Sequence, residues 1–406
     1  MTITRDDLAS ELALADDVVP ATPCRPVDAP AVVLLTGATG FLGAFVLVEL
    51  LRQTRATIHC LVRAEDADAA RHRLLANLAH YRLEAPDLAA RVVAVPGSLE
   101  QPGLGLAEPT YAWLAEHVDT VYHLAADVSF MPAYEQLKAA NVTGLEHVLR
   151  FACERRTKSV HYTSTYAVFN ADAYALARRV YETRLCGTSA GFQRGYDRSK
   201  WVAEHLVGLA QERGLPVTTY RVGFVSGDSR TGIHNKMDPM AQMVAVALCT
   251  GYSFRPEALL HLTPVDWCSR ALVALSRRGE ARGQIFHLVQ GQPLSASALL
   301  DWMEEDGWGV QMVAYEAWYE QLKLLCRRDR RFIPAFYLSS RGEATAFGEG
   351  ENISSLQFDA SNVDRLLPDD RCPPLAAPLL RRYLDYIASP ERGYQVVVRR
   401  QVRSVA

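Results

Sequence analysis

With 406 residues, 49% of them hydrophobic, and a formal net charge of −3, the chain is long enough to bury a large core and to form two domains. It has no polybasic block, no apolar run long enough to span a bilayer and no charged–apolar–cleavage pattern at its start, so nucleic acid, a membrane and a secretory signal are not expected. Eight cysteines (24, 60, 153, 186, 249, 268, 326 and 372) occur without a C-x-x-C pair, a usage that points to a reducing cytoplasm rather than a disulfide framework or a zinc site.

Residues 1–30 read as a linker or docking arm. Asp6 to Leu14 suits one short amphipathic helix, and Pro20, Pro23, Pro26 and Pro30 break any regular structure after it. The apolar run 31–35 then predicts a buried parallel strand, and 44–51 a helix. Between them lies Thr36-Gly37-Ala38-Thr39-Gly40-Phe41-Leu42-Gly43. Strand, glycine turn and helix in that order form a dinucleotide cradle. Gly37 permits the tight turn, Gly40 lets backbone approach a pyrophosphate, and Gly43 lets the helix sit close to the strand. The free N–H groups of the helix start, with Thr39, Phe41 and Leu42, face the phosphates.

A second strand, 57–62, ends at Arg63. An acidic residue there would accept bonds from an adenine ribose and favour NAD, whereas Arg63, followed by Arg71 and Arg73, offers cations to a 2′-phosphate, so NADPH is the expected cofactor. A helix over 71–80 leads to a third strand at 91–95, and Ser98 and Leu99 follow where an adenine ring would lie. The fourth strand, 119–124, ends in Ala125 and Ala126, small enough to leave room for the cofactor; His123 is expected to be a packed strand residue. One helix is expected from about 132 to 156. Repeated strand–helix units with short connections predict an α/β fold, a Rossmann-type doubly wound parallel sheet.

The fifth strand, 159–165, ends in the hydroxyl cluster Thr163-Ser164-Thr165. A helix then opens with Tyr196-Asp197-Arg198-Ser199-Lys200. Residues four apart share a helix face, so Tyr196 and Lys200 point the same way, and a nearby ammonium favours the phenolate. The pair suits proton transfer to a carbonyl oxygen, with a strand-end hydroxyl helping to hold it.

Thr36–Gly43, Tyr162–Thr165, Tyr196–Lys200 and Tyr220-Arg221-Val222-Gly223 together resemble the extended short-chain dehydrogenase/reductases. His123-Leu124-Ala125-Ala126-Asp127-Val128, Asn141-Val142-Thr143-Gly144, the run Gly195 to Glu204 and Gly227-Asp228-Ser229-Arg230-Thr231-Gly232 narrow this to a resemblance to thioester reductase domains, which close nonribosomal peptide and polyketide assembly lines and form the reductive part of carboxylic acid reductases. The likeness covers 31 to about 290. It implies NADPH-dependent release of an acyl chain held as a thioester on a carrier protein's phosphopantetheine, with Thr165, Tyr196 and Lys200 as the catalytic set. Thr165 and Tyr196 would bind the thioester oxygen, and Lys200 would hold the nicotinamide ribose. Thr163, Val222 and Val225 would line the cofactor. Ser98 stands where relatives often carry aspartate, and Leu124 where they often carry a polar residue.

Beyond the sixth strand, 234–260 has a helical, apolar pattern (Met237, Met240, Met243, Val244, Val246, Leu248), read as core first and acyl channel second. The expected division is an arm at 1–30, a nucleotide-binding domain at 31–290 with a substrate-domain insertion near 233–261, and a smaller, mainly helical substrate and carrier-binding domain at 291–406. There the run Arg327-Arg328-Asp329-Arg330-Arg331 reads as a solvated helix end or, alternatively, a carrier-docking patch, and 342–351 as a lid. A monomer, or one domain of a megasynthase, is expected. The alternatives are a free acyl-CoA or small-carbonyl reductase, a non-catalytic NADPH-binding scaffold and a nucleotide-sugar epimerase, the last disfavoured by Arg63.

Overall fold

The computed structural model describes residues 8–24, 29–129, 131–170, 172–185, 188–235, 237–256, 258–340, 353 and 356–398. The lid expected at 342–351 lies outside them. Chain contacts divide the protein into two compact units, 1–223 with 267–288 and 358–371, and 224–266 with 289–357 and 372–406.

The first unit is built on seven parallel strands: β1 (Val32–Thr36), β2 (Thr57–Val62), β3 (Val92–Pro96), β4 (Thr120–His123), β5 (Ser159–Thr165), β6 (Val217–Val222) and β7 (Ile285–Leu288). Their order is β7-β6-β5-β4-β1-β2-β3. Chain order reverses between β1 and β4, the point where such sheets leave a crevice at their carboxyl ends. Register aligns those ends: Thr36 pairs with His123, His123 with Tyr162, and Thr165 with Val222. The flanking helices are α1 (Phe41–Gln53), α2 (Ala67–His80), α3 (Glu108–His117), α4 (Gly144–Cys153) and α5 (Gly195–Glu212). Phe41, Phe45, Val46, Leu47, Val48, Leu50 and Leu51 are all buried on α1, so it is held by packing on nearly every side, with about 1.5–3 kcal/mol per large apolar side chain.

Three features of this unit differ from the pattern read along the chain. The long helix expected over 132–156 runs unbroken from Tyr134 to Cys153 but is widened by a π turn at Ala139–Thr143, between Tyr134–Lys138 and α4. Gly144 closes the π turn through its N–H to the Ala139 carbonyl, and a side chain on Gly144 would press on Leu99 at 3.1 Å. Among its described residues the arm forms a 3₁₀ turn at Ala9–Leu12 in place of the expected α-helix, and residues 8–24 are part of the unit: Leu8, Leu14 and Val18 are buried in the core. Arg213 donates to the carbonyls of Leu14 (2.9 Å), Ala15 (2.5 Å) and Val18 (3.2 Å). Finally, 358–371 returns to the sheet unit from late in the chain. It is pinned by Asn362 to the Ile285 carbonyl (3.1 Å) and by Asp370, which accepts two 2.8 Å bonds from Arg270 of α6 (Val265–Ser276). No apolar period marks that segment, so the sequence carries no sign of its return.

The second unit packs α7 (Pro239–Thr250), α8 (Ala296–Glu305), α9 (Tyr315–Arg328) and α10 (Ala377–Ile387) around Met240, Met243, Val244, Leu248, Phe254 and Trp318. The helix expected over 234–260 is shortened to α7. Asp238 caps its start by accepting the Ala241 N–H at 3.0 Å, Pro239 follows, and Gly251 ends it at φ +79°. Met237 is exposed while the other apolar residues of that stripe are core. In the basic run, Arg331 chelates Asp329 and donates to the Arg392 and Gly393 carbonyls, and Arg327 and Arg328 occupy the last turn of α9, where a helix dipole favours cations. Among the described residues no helix is long and apolar enough to cross a membrane.

Candidate active site

The glycine stretch is shaped by contacts that only hydrogen permits. Gly37 has φ +83°, and a β-carbon on it would lie 2.7 Å from the Ala125 nitrogen. A β-carbon on Gly43 would lie 2.0 Å from the Gly37 carbonyl oxygen. Gly40 caps α1 without a side-chain acceptor, so the first N–H groups of the helix, from Phe41, Leu42 and Gly43, are not taken up by a capping side chain. Asn77 on α2 donates to the carbonyls of Ala38 (3.3 Å) and Gly40 (3.2 Å) and fixes the loop from its far side. Thr36 ties the ends of β1 and β4 together through His123 Nδ1 (2.9 Å) and the Ala125 N–H (3.2 Å). Burial holds His123 down to about 3, so it is a neutral packed residue, as its strand position suggests. An anionic dinucleotide suits this cradle: the backbone approaches closely, the helix start faces it, and small Ala125 and Ala126 stand opposite.

Arg63 sits at the end of β2 with its side chain 74% exposed, 3.8 Å from Glu100. Such an exposed pair is worth about 0–1 kcal/mol and yields readily to a better anion. Arg73 donates to the main-chain carbonyl of Arg63, which places both guanidinium groups at the same strand end. Ser98 and Leu99 form the turn after β3, where the Ser98 N–H donates to Leu104 (2.8 Å) and the Leu99 carbonyl bonds His147 (2.7 Å).

On the other side of the crevice, β5 and α5 bring Thr165, Tyr196 and Lys200 together. The Thr165 hydroxyl lies close enough to the Tyr196 phenol to favour its ionised form. Lys200 donates to the Thr163 carbonyl at 2.9 Å and lies 4.4 Å from the centroid of the Tyr162 ring. The Thr163 hydroxyl is buried without a partner among the described residues. Burial, reinforced by Asp197, pushes Tyr196 up to about 12, against the lowering effect of Thr165. This differs from the expectation that Lys200 favours the phenolate: desolvation outweighs it, and the phenol stays protonated. Burial also lowers Lys200 to about 7, with Glu204 opposing the shift. Val222 ends β6 beside Thr165, whereas Val225 lies in the second unit, on the short strand Phe224–Ser226 paired with Leu262–Pro264.

Several organising residues lie within the motifs quoted above but have no role of their own in the sequence reading. Asn141, in the π turn, accepts the Asp127 N–H (2.7 Å), donates to the Asp127 carbonyl (2.9 Å), and donates to Ser199 Oγ (2.9 Å), which in turn donates to the Tyr196 carbonyl (2.8 Å). The π turn, an insertion typical of functional sites, thereby connects the end of β4 to the start of α5. Asn141→Ala is expected to lower the unfolding free energy by about 1–3 kcal/mol in urea melts, because the half-buried Asp127 backbone and the buried Ser199 hydroxyl lose their partner. Glu204 and Arg221 form a buried ion pair. Its sequence signal is a charge inside an otherwise apolar strand, facing a carboxylate four residues after Lys200.

Comparisons with known proteins place the chain among relatives of similar sequence and fold. Residues 35–272 match the family described as male sterility protein, whose profile is that of an NAD-binding domain. A linear gramicidin synthase of Brevibacillus parabrevis is 36% identical over 358 residues, which are 87% of this chain but 7% of that protein. The isonitrile lipopeptide synthase of Streptomyces coeruleorubidus is 37% identical over 305 residues, 74% of this chain and 20% of that protein. The chain thus spans a small part of these curated relatives. Among solved structures, the terminal R domain of the myxalamid PKS–NRPS pathway superposes with a TM-score of 0.86 at 35% identity, over 96% of this chain and 98% of that one.

Proposed function

The chain belongs to the male sterility protein family and, within it, groups with the terminal reductase domains of peptide and polyketide synthetases, and on that footing we propose that it uses NADPH to release a carrier-bound acyl or peptidyl thioester as an aldehyde. Membership itself makes the chain an oxidoreductase that takes a nicotinamide cofactor. The observation that carries the proposal further is Lys200 pinned to the Thr163 carbonyl at the end of β5, with Tyr196 one turn before it on α5 and the Thr165 hydroxyl close enough to act on the phenol.

The cofactor, when bound in the glycine cradle, supplies the hydride that the thioester carbonyl carbon receives. Negative charge then grows on the carbonyl oxygen, and the Thr165 and Tyr196 hydroxyls are placed to donate to it. Tyr196, held protonated by burial, gives up its proton to that oxygen. The product is a hemithioacetal. Its collapse breaks the C–S bond, freeing an aldehyde and returning the proton to the carrier's thiol. Lys200, on the same face of α5, would orient the ribose, and Tyr196 regains from solvent the proton it gave up, so one proton is taken up per thioester reduced. A second passage through the same donors would take the aldehyde on to an alcohol.

Arg63 and Arg73 support NADPH over NADH, since their guanidinium groups gather where a 2′-phosphate would lie. Arg63→Ser is expected to reduce the NADPH-over-NADH preference, measured as the ratio of kcat/KM values, by about ten- to a hundredfold, the range of one charge-assisted hydrogen bond. The proposal is tested by adding an acyl-pantetheine thioester to protein and NADPH. Thioester-dependent NADPH oxidation is expected. Oxidation with small free carbonyls and none with any thioester would instead assign the chain to the small-carbonyl reductases.

A further inference from the structure

The crevice residues are backed by a second, fully buried layer of charge. Arg221 on β6 has no exposed side-chain surface, and Glu204 on α5 has 5%. The Arg221 guanidinium donates to Glu204 Oε1 through Nε at 2.9 Å and through Nη2, to the Thr183 carbonyl at 2.8 Å, to the Tyr181 carbonyl at 3.4 Å, and to His287 Nε2 at 3.0 Å. His287 passes the chain on by donating from Nδ1 to the Asp359 carbonyl at 2.8 Å. The other oxygen of Glu204 accepts the hydroxyl of Ser164, the neighbour of Thr165. One carboxylate therefore touches the strand that carries Thr165 and stands one helical turn from Lys200.

A buried ion pair of this kind is expensive to desolvate, and apolar residues of similar volume would often stabilise the fold as well. Its position suggests why the charges are there. Lys200 is faced by the Tyr162 ring and the neutral His123 from the strands, and by Tyr196 and Glu204 on its own helix. Among these, Glu204 is the group whose charge opposes the desolvation of the ammonium. Arg221, itself bonded to two carbonyls and an imidazole, holds that carboxylate in place.

We propose that Glu204, clamped by Arg221, is a positioning residue of the reductase centre: it keeps Lys200 charged and anchors Ser164 so that Thr165 faces Tyr196. This rests on the reductase reading above, but its consequence for Lys200 can be read without turnover. In the wild-type protein, NADPH affinity should fall as pH rises through about 7, where Lys200 loses its charge. Removing the carboxylate charge should move that fall about one pH unit lower, and kcat at pH near 8 should drop about tenfold with it.

Two variants measure this, Glu204→Gln and the charge-free pair Glu204→Gln/Arg221→Met, the second guarding against a fold weakened by an unpaired Arg221. NADPH and NADH affinities are followed by cofactor fluorescence from about pH 6 to 9 alongside thermal melts, and thioester turnover is followed over the same range. A cooperative melt with both pH profiles displaced downward is the expected result. A folded variant whose profiles overlay the wild type would reduce the pair to a structural role. The wild-type protein alone also refutes the proposal if its cofactor affinity is flat across that range. Displaced binding profiles with no turnover on any thioester would overturn the reductase reading while leaving Glu204's effect on Lys200 standing.

Discussion

Tyr196→Phe is expected to lower kcat for thioester reduction by about 10²–10⁴-fold, the usual worth of a positioned proton donor, while cofactor affinity and thermal stability stay close to wild type. The reason lies in the geometry. The ring itself fills its place at the start of α5, so phenylalanine preserves the packing, but the hydroxyl beside Thr165 that would protonate the developing oxyanion is lost. The direction of the tyrosine's shift also matters. A phenol pushed up to about 12 remains a donor throughout the neutral range, so the pH dependence of the wild-type reaction should come from Lys200 near 7 and not from Tyr196. Single-turnover kinetics with NADPH in excess separate the chemical step from binding. A loss confined to KM would assign Tyr196 to substrate affinity alone.

Gly43→Ala should have the opposite signature. A methyl group there would lie 2.0 Å from the Gly37 carbonyl oxygen, a backbone atom that has no rotamer to escape into. Either the turn opens or α1 lifts from β1. In both cases the helix start no longer meets the phosphates, and a misplacement of about 1 Å is enough to cost about 10²-fold. Cofactor affinity should therefore fall at least a hundredfold for NADPH and NADH alike. This distinguishes the cradle from Arg63, whose loss should change the preference between the two cofactors. Equilibrium titration by cofactor fluorescence checks it. An alanine variant with unchanged affinity would mean that the cradle does not hold the dinucleotide.

The sheet and its helices are legible in the sequence because their residues obey a period. Apolar runs with glycine or polar ends mark β1, β2 and β5 to within a residue, and the i, i+4 spacing places Tyr196 and Lys200 on one face of α5. What escapes such a reading is built from single polar contacts. The π turn at Ala139–Thr143 lets Asn141 reach Asp127 and Ser199, and no propensity signals it. The arm looks peripheral because its prolines dominate its sequence, yet three spaced apolar residues and the Arg213 guanidinium dock it onto the first unit. Tyr196 shifts opposite to the expected direction because the spacing of a lysine and a tyrosine shows their proximity but not their burial. The Glu204–Arg221 pair needs β6 and α5 placed in space before a lone arginine in an apolar strand has a partner.

Arg63 also bears on the epimerase alternative. An NAD-dependent sugar epimerase would ordinarily present an acidic group after its second strand, and this chain presents a cation in a weak, exposed contact with Glu100. The proposed donors Thr165 and Tyr196 likewise suit a chemical role better than a scaffold.

The most direct test of the account is a product balance with a carrier-bound acyl thioester. Protein, NADPH and acyl-phosphopantetheinyl carrier are mixed, and aldehyde, alcohol, free acid, liberated thiol and oxidised cofactor are quantified together. Reductive release predicts one thiol freed per aldehyde formed and one NADPH consumed, or two NADPH where alcohol appears. Thiol released with free acid and no NADPH consumed would be hydrolysis, and would contradict it.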